Sequence, residues 1–366
     1  ARLVAAKEQL ERLNIELSDL EKSAPPPAPT ALAARDAQDI GDCAICIRGE
    51  PHLQGKVVAR GFLSKIHMPL PNVEFSDNSS GRLELAGWIA APDHPLTARV
   101  YVNRVWNHLI GVGLVPSVDN FGHLGQRPTH PELLDYLASE FVRQGWSTKW
   151  LVRQIVSSRV YRLSSRSDAE REQTDPENLY LWRAHRKRLS AESIRDTLLA
   201  ATGDIDHSLA ESPVSELGTL VTRNNPNDEG YAARSDLRRT VYLPVIRNEL
   251  PSLMRVFDFA DPDYGTGDRD ETTVPSQALW MLNSPEMHEG AKKLAEVLRD
   301  DSSHASQRLE YLYARTLGRL PTPSEFEIGM RFVEVPLDQR DPASELERWS
   351  DLVHAVVASS AFRMTD

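Results

Sequence analysis

Residues 99–134 read RVYVNRVWNHLIGVGLVPSVDNFGHLGQRPTHPELL. The first part has helical spacing, and Gly111 and Gly113 then allow sharp turns. Aromatic, amide, carboxylate and imidazole side chains are denser here than a plain hydrophobic core requires. Residues 129–132, Thr-His-Pro-Glu, have the form of a capping box that starts another helix. The stretch therefore predicts helices and contains the first candidate site.

Apolar residues recur at helical spacing over most of the rest of the chain. One predicted stripe consists of Met287, Ala291, Leu294, Ala295 and Leu298, and the next of Leu309, Leu312, Tyr313 and Thr316. Residues 204–235 are rich in Ser, Asn, Asp and Gly and predict a long loop. Strand-like runs occur at 43–48, 56–63 and 239–246. The predicted fold is mainly α, an irregular multi-helix domain with a few short strands in the N-terminal part and one near 239–246.

Three segments are expected along the chain. Residues 1–30 form a helix and a Pro-rich linker, residues 31–81 a lead-in that contains strands, and residues 82–366 a mainly helical core. Leucines recur at heptad-like spacing in the first helix, at Leu3, Leu10, Leu13, Leu17 and Leu20. Three heptads are short for a free-standing coiled coil, so we expect this helix to pack against another element, such as an upstream domain.

Composition restricts the class of protein. The 366 residues carry a formal net charge of −11, with 40% hydrophobic and 26% charged residues, as in ordinary globular proteins. An acidic chain of this kind argues against a general nucleic-acid binder. The basic run at 182–189 is interpreted as a solvated face or a set of ion pairs. No window is apolar enough for a membrane span, and the start at Ala1 without a leader pattern leads us to expect a fragment of a larger protein.

The two cysteines predict neither a metal nor a haem site in this chain. A haem-attachment motif requires histidine directly after its second cysteine, and here Ile47 follows Cys46. A zinc site would need a second ligand pair, which the spacing does not supply. We expect both cysteines to be buried as small hydrophobic residues on a strand.

Polar residues between 103 and 130 form the first candidate site. Asn103 and Asn107 share a helix face, and the glycines that follow allow Asp119 and His130 to fold back beside them. A carboxylate and an imidazole within hydrogen-bond distance supply a general base. The alternative is that these groups satisfy buried backbone amides. The candidate catalytic residues are Asp119, His130 and His108, and the candidate binding residues are Asn103, Arg104, Asn107, Asn120 and Arg127, together with Arg247 and Arg269.

An acidic loop at 258–271, with the sequence DFADPDYGTGDRDE, is the second candidate. Its carboxylates Asp258, Asp261 and Asp263 suggest calcium, which prefers clustered oxygen ligands. An EF-hand is excluded because Thr266 replaces the turn glycine and Thr272 replaces the bidentate glutamate. A looser calcium site and a solvated loop held by Arg247 or Arg269 remain as alternatives.

Several motifs in order together resemble a known family. They include Arg104-Val-Trp-Asn-His, Asp119-Asn-Phe-Gly, Pro128-Thr-His-Pro-Glu-Leu-Leu, Gly145-Trp-Ser-Thr-Lys, Tyr242-Leu-Pro-Val-Ile-Arg and Thr272-Thr-Val-Pro-Ser-Gln-Ala-Leu. From about residue 40 to the end, the chain resembles the planctomycete-type domain of unknown function found at the C-terminal end of planctomycete cytochrome-c-like multidomain proteins. The resemblance implies an extracytoplasmic location, periplasmic or secreted, and haem only on a domain outside this chain. It brings no established catalytic residues.

Two functions are therefore expected. The first is a non-catalytic binding or structural module of a larger protein, whose partners are the other domains of that protein and a glycan. The second is an enzyme of unassigned type that acts on polysaccharide, with Asp119, His130 and Asp258 at a shared pocket.

Overall fold

The computed structural model describes residues 2–23, 33–38, 40–63, 66, 79–208, 236–243, 245, 250–302, 304–334 and 342–365. The chain divides into two compact units, Ala1–His94 and Pro95–Asp366. We call them the N-terminal and the C-terminal unit. The described residues contain fourteen α-helices and two antiparallel sheets of two strands each, so the mainly α prediction is confirmed.

The helices and strands have the following bounds. The helices are α1 (Arg2–Ser23), α2 (Arg82–Ile89), α3 (Thr97–Ile110), α4 (Pro131–Arg143), α5 (Thr148–Val156), α6 (Ala169–Thr174), α7 (Ala191–Thr202), α8 (Ser252–Val256), α9 (Pro275–Asn283), α10 (Pro285–Asp301), α11 (Ala305–Leu317), α12 (Pro323–Val333), α13 (Pro342–Val357) and α14 (Ser360–Arg363). The strands are β1 (Cys43–Cys46), β2 (Gln54–Val58), β3 (Lys187–Arg188) and β4 (Met364–Thr365).

In the N-terminal unit, strands β1 and β2 form an antiparallel hairpin with Cys43 opposite Val58 and Cys46 opposite Gln54. Both predicted strands are present but shorter than expected, since Ile47–Gly49 forms a 3-10 helix and β2 ends at Val58. The expected burial of the cysteines is wrong, because Cys43 and Cys46 are both exposed free thiols. A sheet of two strands buries a face only where another element covers it, and in the described residues both strands stay largely exposed.

The C-terminal unit contains two hydrophobic cores. The larger core is built around α10, whose predicted stripe is buried in full and packs with residues of α7, α11 and α13. The predicted stripe on α11 is likewise buried. The smaller core joins α3, α4 and α5 through Val102, Trp106, Leu137, Phe141 and Leu151. Apolar residues at intervals of three and four therefore located these helices correctly.

The start of α4 differs from its prediction. The N-cap is His130, which makes no side-chain cap hydrogen bond, and not Thr129. The Thr129 hydroxyl instead donates to the backbone oxygen of Leu114, 3.2 Å away. Thr129 therefore stabilises the loop after α3, and its hydroxyl does not cap the first turn of α4.

The strand predicted at 239–246 is wrong over its described residues, because Thr240–Tyr242 forms a 3-10 helix. Helix α7 explains the difference. The Thr240 amide and hydroxyl both donate to the carboxylate of Asp196, at 2.9 and 2.6 Å, and Arg195 donates to the backbone oxygen of Arg238 at 2.8 Å. Side chains of α7 thus supply hydrogen bonds to backbone groups of residues 238–240, which in a strand would come from a neighbouring strand. Residues 209–235 of the predicted long loop lie outside the described residues.

A capping box starts α12: the Thr322 hydroxyl accepts from the Glu325 amide, and the Glu325 carboxylate accepts from the Thr322 amide, which leads to a pH prediction. The hydrogen bonds from Arg319, both 2.8 Å long, are the main cause that lowers the pKa of Glu325 to about 2. Because the folded pKa lies below the unfolded one, the charged carboxylate stabilises the fold at neutral pH, and this contribution is lost as the pH falls from about 4.5 towards 2. We expect Glu325→Gln to lower the free energy of unfolding by about 0.5–1 kcal/mol at pH 7. Urea titrations at several pH values should show this difference shrinking as the pH falls, and a constant difference would contradict the assignment.

In the part of the chain that the structure describes, no helix has the length and apolar character that crossing a membrane requires.

Candidate functional site

The fully buried Asn103 of α3 holds the loop that follows its helix. Its Nδ2 donates to the backbone oxygen of Val115 at 2.9 Å, and its Oδ1 accepts from the Val115 amide at 2.8 Å. Gly113 passes so close that a Cβ there would lie 2.8 Å from Nδ2 of Asn103. Both polar ends of the side chain are therefore satisfied by backbone, which makes Asn103 a structural residue.

The two candidate stretches meet in the structure. The Asp119 carboxylate accepts from Arg104 at 3.1 Å through Oδ1 and from the Gly267 amide at 3.0 Å through Oδ2. A Cβ on Gly267 would lie only 1.8 Å from Asp119 Oδ1, so the approach requires glycine at this position. A second contact joins Asn107 Nδ2 to Asp268 Oδ1 at 2.9 Å. The acidic loop thus lies against α3 and the loop after it.

Lys187 in strand β3 fixes the C-terminal end of α3. Its ammonium donates to the backbone oxygens of His108 at 2.7 Å and Asn107 at 3.4 Å. The side chain crosses over Gly111, where a Cβ would lie 2.6 Å from Lys187 Cε and where φ is +112°. Burial lowers the pKa of Lys187, while the carboxylates of Glu271 and Asp268 act in the opposite direction. A cation at this place also suits the negative end of the helix dipole.

These elements surround a cleft of about 580 Å³ in the C-terminal unit, within the size range of small-molecule sites. Its polar side chains are Asn107, His108, Lys187, Ser190, Glu192, Thr240, Asp268, Arg269 and Glu271. Its apolar wall is formed by Val241, Leu243, Val245, Leu250, Pro251, Met254 and Phe259. Hydrogen-bonding groups at one side of an apolar wall are the arrangement that small-molecule ligand sites share.

Arg269 organises one side of the cleft. Its guanidinium donates to Glu192 Oε1 at 2.7 Å and lies 4.9 Å from the centre of the Phe259 ring. The other oxygen of this carboxylate, Glu192 Oε2, is buried and has no hydrogen-bond partner in the described residues. Asp268 Oδ2 and the Glu271 carboxylate, which are more exposed, also accept no hydrogen bond there. The cleft therefore offers open carboxylate oxygens beside the remaining N–H donors of Arg269.

The predicted catalytic residues are not brought together. Asp119 is bonded to Arg104 and Gly267, whereas His130 Nδ1 contacts the Thr129 hydroxyl at 2.9 Å and its ring lies against Tyr180. Neither residue lines the cleft. His108, the third candidate, does line it.

Two of the predicted binding residues belong to an exposed turn. Asn120 Oδ1 accepts from the Gly122 amide at 3.0 Å, which closes the turn locally. Arg127 is exposed and makes no ion pair in the described residues. Arg104 is held by Asp119, and Arg247 lies outside the described residues. Of the predicted binding residues, Asn107 and Arg269 line the cleft.

The carboxylates predicted to bind calcium have other partners. Asp258 forms a partly buried ion pair with Arg188 at 2.8 Å and also accepts from the amide and hydroxyl of Thr272. Asp261 accepts from the Asp263 amide at 2.9 Å, in a local turn. Over the described ranges, no group of three or more His, Cys, Asp and Glu side chains is placed to hold a metal ion. Calcium binding by this loop stays a prediction.

Sequence reasoning missed Lys187, Ser190 and Glu192 as parts of the site. The first lies in the basic run that was interpreted as a solvated face or a set of ion pairs. Arg188 of this run does form an ion pair, with Asp258, whereas Lys187 is half-buried and donates to helix carbonyls. The available signal was a basic run placed directly before the N-cap Ser190 of α7.

The structure thus defines a mainly helical protein with a ligand-sized cleft between two loops and three helices, α3, α7 and α8. Residues 81–333, more than half of the chain, match the model of the PSD1 family, which is described as a protein of unknown function (DUF1553). The chain belongs to this family. The match includes every residue named here as lining the cleft. Neither a curated protein nor a solved structure matches the chain.

Proposed function

We propose that this chain is a non-catalytic binding module that holds a saccharide in the cleft of its C-terminal unit. The observation that carries the proposal is the composition of the cleft, with open carboxylate acceptors on one side and an apolar wall on the other. A saccharide offers hydroxyl donors and also C–H faces, so one ligand satisfies both sides.

The acceptors argue for a ligand that is rich in donors. Asp268 uses one oxygen for Asn107, and Glu271 makes no hydrogen bond in the described residues. Hydroxyl groups donate to carboxylates in strong, charge-assisted hydrogen bonds. A ligand made only of acceptors, such as a phosphate, would meet like charge at these positions.

The site is preorganised, which favours binding. Asn107 and Asp268 hold each other, Arg269 is fixed between Glu192 and Phe259, and Lys187 is bonded to helix carbonyls. A ligand therefore has few cleft side chains to order, and the entropic cost of binding falls.

The family resemblance extends the proposal to the whole protein. On that basis the chain is a module of a larger extracytoplasmic protein that also contains a cytochrome-c-like domain, and its haem lies on that other domain. Membership in a family of unknown function is compatible with this role.

The alternative, an enzyme acting on polysaccharide through Asp119, His130 and Asp258, has one observation in its favour. The two stretches that supply these residues do meet, through the Asp119–Gly267 contact. The three side chains, however, make separate contacts and none lines the cleft. Binding without turnover is therefore the better supported function.

A screen of immobilised neutral and acidic oligosaccharides tests the proposal. We expect the chain to bind a defined subset, and Glu271→Gln to weaken binding about tenfold, as expected when a charged acceptor for ligand hydroxyls is lost. Reducing-end analysis after incubation should show no cleavage of the bound oligosaccharides.

The matched control is Glu310→Gln, which removes an exposed glutamate away from the cleft and should leave binding unchanged. Absence of binding across the screen, or equal losses for both variants, would contradict a saccharide site in this cleft. Cleavage that Asp119→Ala abolishes would favour the enzyme.

A further inference from the structure

A second hollow lies beside the cleft in the C-terminal unit. It has a volume of about 510 Å³, and α7, α8, α9 and α10 contribute to its walls. Leu243, Pro251 and Met254 line both the cleft and this second hollow. We call these three residues the apolar ridge. Leu243 and Pro251 are half-buried, so the ridge is accessible to a ligand and the two hollows adjoin along it.

Trp280 of α9 supplies an aromatic ring to the second hollow. Its Nε1 donates to the Ser252 hydroxyl at 3.1 Å, and its ring meets the Phe257 ring edge to face, with 5.9 Å between the centroids. The side chain is half-buried, so part of the indole remains accessible although its orientation is fixed. A rigid aromatic ring offers a large apolar surface to a ligand at a low cost in conformational entropy.

Charged side chains border the same hollow. Glu286 and Glu289 lie one turn apart on α10, Arg255 lies on α8, and all three are exposed. In the part of the chain that the structure describes, none of the three forms an ion pair, whereas Asp204 and Lys293 at the same hollow pair with each other. The hollow thus combines carboxylate acceptors and guanidinium donors with an aromatic surface.

The second hollow repeats the chemistry of the cleft. Each contains two carboxylates with open oxygens, an arginine and apolar side chains. One ligand of repeating structure, with hydroxyl groups and C–H faces in every unit, satisfies both hollows and the apolar ridge between them. A purely apolar ligand would instead cover the carboxylates of the second hollow without supplying hydrogen-bond donors, at a cost in free energy.

We propose that the cleft and the second hollow are two subsites for one oligosaccharide chain, which crosses the apolar ridge and packs a sugar ring on Trp280. The inference rests on the proposed saccharide function and adds that the ligand is longer than a disaccharide. Because both subsites bind parts of one molecule, the second contact forms within the complex and increases affinity without any change at the first.

Calorimetric titration of the whole chain with two ligand lengths tests the inference. The probes are the disaccharide and the hexasaccharide of one homopolymer, taken from the series that binds in the oligosaccharide screen. We expect Trp280→Ala to raise the dissociation constant of the hexasaccharide about tenfold and that of the disaccharide less than about twofold. The control Tyr311→Ala removes an aromatic side chain that is 44% exposed and lines neither hollow, and it should leave both constants unchanged.

A second variant tests the same subsite without disturbing the core. Arg255→Gln/Glu289→Gln changes only exposed side chains and should weaken the hexasaccharide about fivefold, again with little effect on the disaccharide. Glu271→Gln, in the cleft, should weaken both lengths alike. Equal effects of the second-hollow variants on both lengths, or no effect on the hexasaccharide, would overturn the inference and leave the cleft as a single site. Failure of both lengths to bind the unmodified chain would contradict the saccharide function itself and the inference with it.

Discussion

Replacing Arg188 with methionine should lower the free energy of unfolding by about 2–4 kcal/mol, because the partly buried carboxylate of Asp258 would lose its counterion. Arg188 donates to Asp258 at 2.8 Å and to the backbone oxygen of Leu189 at 3.0 Å, and it also lies over the Phe257 ring. Asp258 in turn accepts from Thr272 and has a positive φ of 56°, which its hydrogen bonds hold in place. Urea denaturation of the whole chain measures the loss.

Two controls separate the ion pair from a general effect of losing an arginine. Arg127→Met removes an exposed arginine and should change stability by less than about 0.5 kcal/mol. The double variant Arg188→Met/Asp258→Asn should recover part of the loss, because it removes both charges of the pair. If Arg188→Met were as stable as the unmodified chain, the ion pair would not anchor the acidic loop.

Replacing Asn103 with alanine should cost about 2–4 kcal/mol, because the buried amide and carbonyl of Val115 would both lose their partner. Both hydrogen bonds are shorter than 3.0 Å, and Val115 is itself buried. Water has little access to replace the amide side chain at this depth, so the backbone groups stay unsatisfied. Thermal and urea denaturation should agree on the loss.

The control for Asn103 is Asn120→Ala, which removes a single hydrogen bond in an exposed turn. We expect that change to cost less than about 1 kcal/mol, because water can satisfy the freed amide. A cost below about 1 kcal/mol for Asn103→Ala as well would show that Val115 finds another partner. Asn103 would then be free for a role other than support.

The helices of the larger core could be predicted because their signal is local. Residues at intervals of three and four define the buried stripe of α10, and Gly318 marks the end of α11 through its left-handed conformation. The strand predicted at 239–246 failed for a non-local reason. The carboxylate of Asp196 on α7 accepts the hydrogen bonds from Thr240. The sequence pattern of residues 239–246 alone cannot predict this contact with a distant helix.

The candidate site could be predicted only in part. Asn107 and Arg269 were identified from their polar surroundings, and both line the cleft. Asp119 was predicted to be catalytic and Asp258 to bind calcium. In the structure, Asp119 instead bonds the Gly267 amide and Asp258 pairs with Arg188, so both carboxylates connect segments of the chain. A carboxylate that binds a ligand and one that binds a backbone amide look the same in a sequence, because the difference depends on which distant segment lies beside them.

The central claim is that the cleft binds a saccharide while the polar residues around it support the loops. Hydrogen–deuterium exchange with and without an oligosaccharide selected in the screen tests it most directly. We predict slower exchange at Gly111, at the start of α7 and at 268–271, which lie at the cleft. Slower exchange confined to the 117–127 loop or to the N-terminal unit, with the cleft unchanged, would contradict the claim.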